Sequence, residues 1–187
     1  MKKYIPPYTI TNKMLELTGS IMEKVGRLDN YNNLNKMPVL RRNNRIHSIH
    51  SSLAIEANSL SFNQVKSVID GKLVIGDKKE IQEVKNAYKA YEMIKDVDPY
   101  SIKDLLKVHA CMTFLTVNES GKFRSGDEGV FDENGNCIFI APKPEYIEKL
   151  MNDLFNWMKE KTEEVHPLIL SSIFHYEFVF IHPFSDG

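Results

Sequence analysis

The chain has 187 residues, 24 of them basic and 25 acidic, for a formal net charge of −1. That length suits one domain, or one domain with a small N-terminal helical extension, and it can bury a sizeable core. The balanced charge gives no global argument for nucleic-acid or membrane-surface binding, and no run approaches the roughly 18 apolar residues that a membrane span needs.

The first thirteen residues, MKKYIPPYTITNK, hold two lysines but no apolar stretch, so they do not read as a signal peptide. From Thr11 to about Arg27, apolar residues at Met14, Leu15, Leu17, Ile21, Met22 and Val25 predict a helix. The Asn-rich stretch Tyr31 to Met37 reads as a loop. Pro38 suits a helix start, and the next helix is expected to run to about Ala57 with Val39, Leu40, Ile46, Ile49, Leu53 and Ile55 on its apolar side. Arg41, Arg42 and Arg45 on that helix read as a solvated face. Ser61 can cap a short helix that ends before Gly71. Lys78 to Ile94 reads as an amphipathic helix through Ile81, Val84, Tyr88, Tyr91 and Ile94, broken by Asp98-Pro99. Ser101 and Asp104 form a capping-box pattern for a helix reaching about Leu115.

The strand signal lies between Glu128 and Ile140, where Val130-Phe131 and Ile138-Phe139-Ile140 flank the turn dipeptide Asn134-Gly135. Glu145 to about Lys161 is expected to be helical, with Tyr146, Ile147, Leu150, Met151, Leu154 and Trp157 on its apolar side, and Pro167 opens the last helix. The reading is a mainly α domain with one β-hairpin. Cys111 and Cys137 show no metal-ligand spacing and are expected to be buried, reduced thiols of a cytoplasmic protein.

The chemistry-bearing segment is Ile181-His182-Pro183-Phe184-Ser185-Asp186-Gly187. Pro183 cannot continue a helix, so it stops the last one and presents His182 at the break. Imidazole titrates near neutrality and can take a proton from an attacking hydroxyl. Ser185, Asp186 and Gly187 then supply a hydroxyl, a carboxylate and a permissive backbone, a combination suited to phosphate and metal. Other polar residues carry weaker signals. His47 and His50 are three apart but have no third ligand, and His175 is too far from His182 to share an ion. Lys122 and Arg124 could steer phosphate or simply be solvated.

His182 to Gly187 resembles the first six residues of the Fic motif, H-P-F-x-[D/E]-G-N-G-R, and Phe174 to Ile181 resembles the helix leading into it. Ser51 to Asn58 is similar to the family's inhibitory-helix motif, [S/T]-x-x-x-E-[G/N], with Ala57 where Gly or Asn is usual. Gly121-Lys122-Phe123-Arg124, the hairpin and Ala141 to Pro144 resemble the segment carrying the family's target-docking flap. The resemblance implies a Fic-type helical bundle over residues 38–187, incomplete at its C-terminus, behind an N-terminal extension over residues 1–37.

It implies a protein adenylyltransferase that moves AMP from ATP to a Ser, Thr or Tyr hydroxyl of a target protein, with transfer of another group as a close variant. His182 would be the base, and Ser185, Asp186, Gly187 and Glu177 would contact the nucleotide. Asp186 would hold Mg²⁺. Glu56, bracketed by Ser52, would be inhibitory, and Val130, Phe131, Ile138 and Phe139 would form the flap. Phe184 would point into the core. The motif's Asn-Gly-Arg half is not among these 187 residues, which implies an inactive fragment of a longer enzyme. The alternative is a catalytically silent Fic-fold module that binds protein or nucleotide. Exposed apolar surface is expected near Phe178 and Phe180, favouring a homo-oligomer.

Overall fold

A computed structural model describes residues 4–29 and 38–186. Among these, seven α-helices accompany one two-stranded antiparallel sheet. The helices are α1 (Asn12–Asp29), α2 (Pro38–Ile55), α3 (Phe62–Ile69), α4 (Lys78–Met93), α5 (Ile102–Met112), α6 (Pro144–Lys161) and α7 (Pro167–Ile181), and the strands are β1 (Gly129–Phe131) and β2 (Cys137–Ile140). The mainly α class with one hairpin is as the sequence reads. The loop expected at Tyr31 to Met37, and Gly187, lie outside the described residues. No described helix is long and apolar enough to cross a membrane.

The chain forms two compact units, Met1–Leu34 with Phe123–Ser185, and Asn35–Lys122 with Asp186–Gly187. In the first, Pro144 and Pro167 start α6 and α7, where a missing N–H costs no helical bond. The two helices pack together, burying Ile147, Met151, Leu154 and Trp157 of α6 and Ile169, Leu170 and Ile173 of α7. Tyr146, expected on the apolar side, is exposed. The apolar stripe of α1 specifies a helix but not its burial, since Leu15, Leu17, Ile21, Met22 and Val25 are all exposed.

The hairpin turns through three residues rather than two. Asp132 and Asn136 pair through the main chain, and Gly135 sits between them at φ +80°. The Asp132 carboxylate accepts from the Asn136 side-chain amide and from the main-chain N–H groups of Asn136 and Asn134, which draws its pKa below the usual range. A left-handed glycine closing such a loop matches the twist of the flanking strands.

In the second unit the core is Ile46, Ile49, Leu53, Val65, Val68, Val84 and Ala87, drawn from α2, α3 and α4. Val39, Leu40 and Ile55, expected beside them, are exposed. Ser61 and Gln64 close a reciprocal capping box on α3. On α5 the box is half formed: Ser101 accepts from the Asp104 N–H, but the Asp104 carboxylate accepts from Asp98 instead. That helix stops at Met112, short of the expected Leu115, which has φ +62°. His47 and His50 both pack on Phe62, the first stacked with ring centroids 4.2 Å apart. Arg42 pairs with Asp70 at 2.5 Å and Arg45 with Glu92 at 3.7 Å, as a solvated face does. The cysteines are free, but Cys111 is only half-buried and Cys137 is exposed, correcting the expectation of two buried thiols.

Helix α2 ends in a left-handed turn. The N–H of Asn58 reaches the carbonyl of Leu53 at 3.0 Å, the N–H of Ala57 reaches that of Ala54 at 3.2 Å, and Ala57 has φ +62°. This is the paired bonding of a helix stop that normally employs glycine. Glycine takes such a position without strain, whereas Ala57 carries a β-carbon into the left-handed region there. Asn58 is buried, donating to the Glu80 carbonyl and the Glu83 carboxylate.

Candidate active site

His182 is the residue that ends α7, and it lies in the left-handed region at φ 49°, ψ 62°. Its N–H closes the last helical turn on the Phe178 carbonyl at 3.0 Å. A β-carbon in that region costs about 1–2 kcal/mol relative to ordinary helix, so the surroundings must hold it. Pro183 enforces the break, and Phe184, buried as expected, packs its ring 5.8 Å from Phe123 and 6.0 Å from Phe178. Nδ1 of His182 lies 3.0 Å from the Phe184 carbonyl oxygen. A carbonyl only accepts, so the neutral ring carries its proton on Nδ1 and leaves Nε2 with a free lone pair.

The grip on this turn comes from Arg124, which is 2 % exposed. Its Nε donates to the His182 carbonyl at 2.6 Å, and its two terminal nitrogens donate to the carbonyls of Gly126 and Pro142, each at 2.6 Å. Its main-chain N–H donates to the Pro183 carbonyl at 2.9 Å. Arg124 is therefore neither a phosphate-steering nor a solvated side chain, as the sequence had suggested. Charge-assisted bonds to several carbonyls compensate the burial of a guanidinium.

His182 opens onto a cavity of about 520 Å³ whose walls include Val130, Ile138 and Phe139 of the hairpin and Tyr176, Val179 and Phe180 of α7. Val130, Ile138 and Phe139 of the expected flap thus share one cavity with the candidate base, and Phe131 pairs through its main chain with Cys137. Phe180 is exposed, as expected, whereas Phe178 is half-buried and stacks 5.7 Å from Phe174. Glu177, expected at the nucleotide, is buried and accepts a hydrogen bond from the Tyr4 hydroxyl. Burial, reinforced by that carboxylate, pushes the Tyr4 phenol far above its ordinary range and keeps it a donor. Ser185 is exposed.

Asp186 groups with the second unit. Its carboxylate lies 3.6 Å from Lys79 Nζ and is about half exposed, at 44%. Its carbonyl oxygen lies 3.0 Å from Nε2 of His109, a buried residue that sequence reasoning missed. Nδ1 of His109 accepts from the Gly121 N–H at 3.0 Å, so the proton sits on Nε2 and is donated to Asp186. Burial pushes this imidazole below its ordinary pKa, which suits the neutral form. Gly121 has φ +71°, and a β-carbon there would stand 2.7 Å from that of Ala110, so only glycine brings this N–H so close to α5.

In the same unit Ser52 lies with its hydroxyl 3.5 Å from that of Tyr91, and Glu56 is exposed beyond the end of α2. Among the described residues no three His, Cys, Asp or Glu side chains form a ready metal cluster. Mg²⁺ binds through one or two carboxylates together with substrate phosphates, and the motif offers it the Asp186 carboxylate, here paired with Lys79.

Residues 99–187 match the model of the Fic/DOC family. The protein adenylyltransferase Fic of Nematostella vectensis is 29% identical over 150 residues, covering 75% of this chain and 34% of that protein. Protein adenylyltransferase fic-1 of Caenorhabditis elegans is 30% identical over 172 residues, covering 85% of this chain and 33% of that protein. The chain thus spans about a third of the length of these curated relatives. Among solved structures, a Fic family protein from Desulfovibrio desulfuricans G20 superposes with a TM-score of 0.89 at 46% identity, over 98% of this chain and 56% of that one. A Fic-domain signalling protein from Bacteroides thetaiotaomicron VPI-5482 has the same fold, with a TM-score of 0.71 at 23% identity over 79% of this chain and 60% of that one. Motif, fold and relatives agree, and through residues 99–187 the chain belongs to the Fic/DOC family.

Proposed function

We propose that the chain is the catalytic part of a protein adenylyltransferase, transferring AMP from ATP to a hydroxyl side chain of a target protein. The observation that carries this reading is the state of His182, whose Nδ1 is tied to the Phe184 carbonyl while the residue faces a cavity walled by the hairpin. A neutral imidazole fixed in that tautomer can accept a proton at Nε2 from a Ser, Thr or Tyr hydroxyl. The oxygen then attacks the α-phosphorus of ATP, and pyrophosphate leaves.

The exposed hairpin suits target docking. Ile138 and Val130 are solvent-exposed in the cavity wall, and an outer strand edge can pair with an extended target segment with little demand on its sequence. Asp186 would hold Mg²⁺, which supplies charge neutralisation on the phosphates when bound. Ser185 and the main chain around Asp186 and Gly187 would contribute to an anion site. We assign Glu177 to supporting α7 through Tyr4 rather than to the nucleotide. Glu56, with Ser52 one turn before it, would be the inhibitory carboxylate, competing with phosphate for a cation. Cytoplasm is the proposed compartment, and the exposed Phe180 supports self-association.

The test uses the protein at its full native length with ATP and Mg²⁺, alone and with lysate proteins as targets. AMP incorporation is expected, abolished by His182→Ala and raised by Glu56→Gly. Nucleotide binding without incorporation in either the wild type or Glu56→Gly would favour the silent module instead.

A further inference from the structure

The guanidinium of Arg124 joins three separate stretches of chain. Nε holds the His182 carbonyl at the end of α7. One terminal nitrogen holds Gly126, which precedes β1, and the other holds Pro142, which follows β2. Both roots of the hairpin and the candidate base are therefore bonded to one rigid, planar group. The main-chain N–H of the same residue fixes Pro183. Arginine is the one side chain that can do this, because its donors diverge within a plane and its charge persists at any working pH. Its charge also lies at the carbonyl end of α7, where the helix dipole favours a cation.

We infer that Arg124 is a positioning residue for transfer, setting the left-handed turn at His182 and the placement of the hairpin relative to the His182 ring. This rests on the reading of His182 as the base and of the hairpin as the docking element. Two consequences follow from the bonds. Without Nε at the His182 carbonyl, that residue has less to hold it out of ordinary helical geometry, and the Nδ1 bond to Phe184 weakens. Without the terminal nitrogens, Gly126 and Pro142 lose a shared anchor, and the hairpin shifts against the base. A bound target hydroxyl would then sit at the wrong distance from Nε2, whereas ATP contacts made by the rest of the motif would be spared. A misplacement of that kind costs about a hundredfold in rate.

The experiment compares wild type, Arg124→Lys, Arg124→Gln and, as a control for general loss of stability, Leu154→Ala, all at full native length. Leu154 is buried in α6 and makes no part of the turn. Two readouts are taken on folded protein: the ¹⁵N signature of the His182 ring, and the separate kcat, target KM and ATP affinity. In wild type the ring is expected to be the Nδ1–H tautomer. In both Arg124 variants the tautomers should mix, kcat should fall about a hundredfold and target KM should rise, while ATP affinity stays within about twofold. Leu154→Ala should lower the melting temperature and leave the tautomer and kcat near wild type.

The inference is overturned by a wild-type ring protonated on Nε2. It is also overturned by an Arg124 variant that keeps the wild-type tautomer and kcat, or by equal effects in Leu154→Ala. If neither Arg124 variant folds, the wild-type tautomer decides. If wild type transfers no AMP, the reading of the function fails, and the ring signature still decides whether Arg124 sets His182.

Discussion

Nε2 of His109 lies 3.0 Å from the carbonyl oxygen of Asp186, a residue 77 positions further along the chain. The same ring accepts the Gly121 N–H on its other nitrogen, so a single neutral tautomer serves both bonds. Replacing His109 with Phe removes both. The Gly121 N–H and the Asp186 carbonyl then lose their partner, and stability should fall by about 1–3 kcal/mol in urea unfolding. Gln, which can present one acceptor and one donor, should recover part of that loss. Asn is too short to reach Asp186, and should recover less in both stability and Mg²⁺-ATP turnover.

Gly121 tests the same bond from the other side. A β-carbon at φ +71° would meet the Ala110 β-carbon at 2.7 Å and the Leu106 carbonyl at 3.3 Å. Both contacts lie on α5, where the helix backbone cannot yield as a flexible side chain would. Gly121→Ala should therefore destabilise by about 1–3 kcal/mol, through overpacking and left-handed strain together. Gly126→Ala is the contrast, since nothing lies within 4 Å of its added carbon.

Ala57 holds a position built for glycine, at φ +62°. Ala57→Gly relieves the β-carbon strain and gives back some unfolded-state entropy. The net expectation is a gain of about 0.5–1 kcal/mol, seen as a melting temperature higher by roughly 1–4 °C. This direction is unusual for a change to glycine, and a loss of stability would contradict the geometry of the α2 terminus.

Tyr4 donates to the buried Glu177 carboxylate. Tyr4→Phe leaves that carboxylate without this donor and should cost about 1–3 kcal/mol. The pH dependence has a definite sign. Because the folded phenol is raised far above its ordinary value, its stabilisation is complete below the unfolded pKa of about 10 and is lost as pH rises beyond it. Wild type should lose stability in that alkaline range more steeply than Tyr4→Phe, measured by thermal melts across pH.

Local signals were legible where a residue acts on its own neighbours. Pro144 and Pro167 start helices, Ser61 with Gln64 caps one, Gly135 turns the hairpin and Pro183 halts α7 at His182. The motif around His182 was legible for the same reason, being contiguous. What could not be read were bonds spanning long separations. Arg124 looks like any surface arginine in sequence, and its bond to His182 spans 58 positions. His109 sits on an ordinary amphipathic helix, with nothing near it to announce Asp186. The signal that was available is the segment Gly121-Lys122-Phe123-Arg124, which resembles the one carrying the family's flap. Periodicity also overstated burial on α1, because an apolar stripe specifies a face and not its partner.

The central claim is that His182 directs transfer of the α-phosphate of ATP to a protein hydroxyl. The most direct measurement offers the protein, at full native length, ATP labelled on either the α- or the γ-phosphate, and follows label into protein with Mg²⁺ present. The account predicts incorporation of α-label only, on a Ser, Thr or Tyr side chain, and none with His182→Ala. Incorporation of γ-label, or α-label that persists undiminished in His182→Ala, would contradict it.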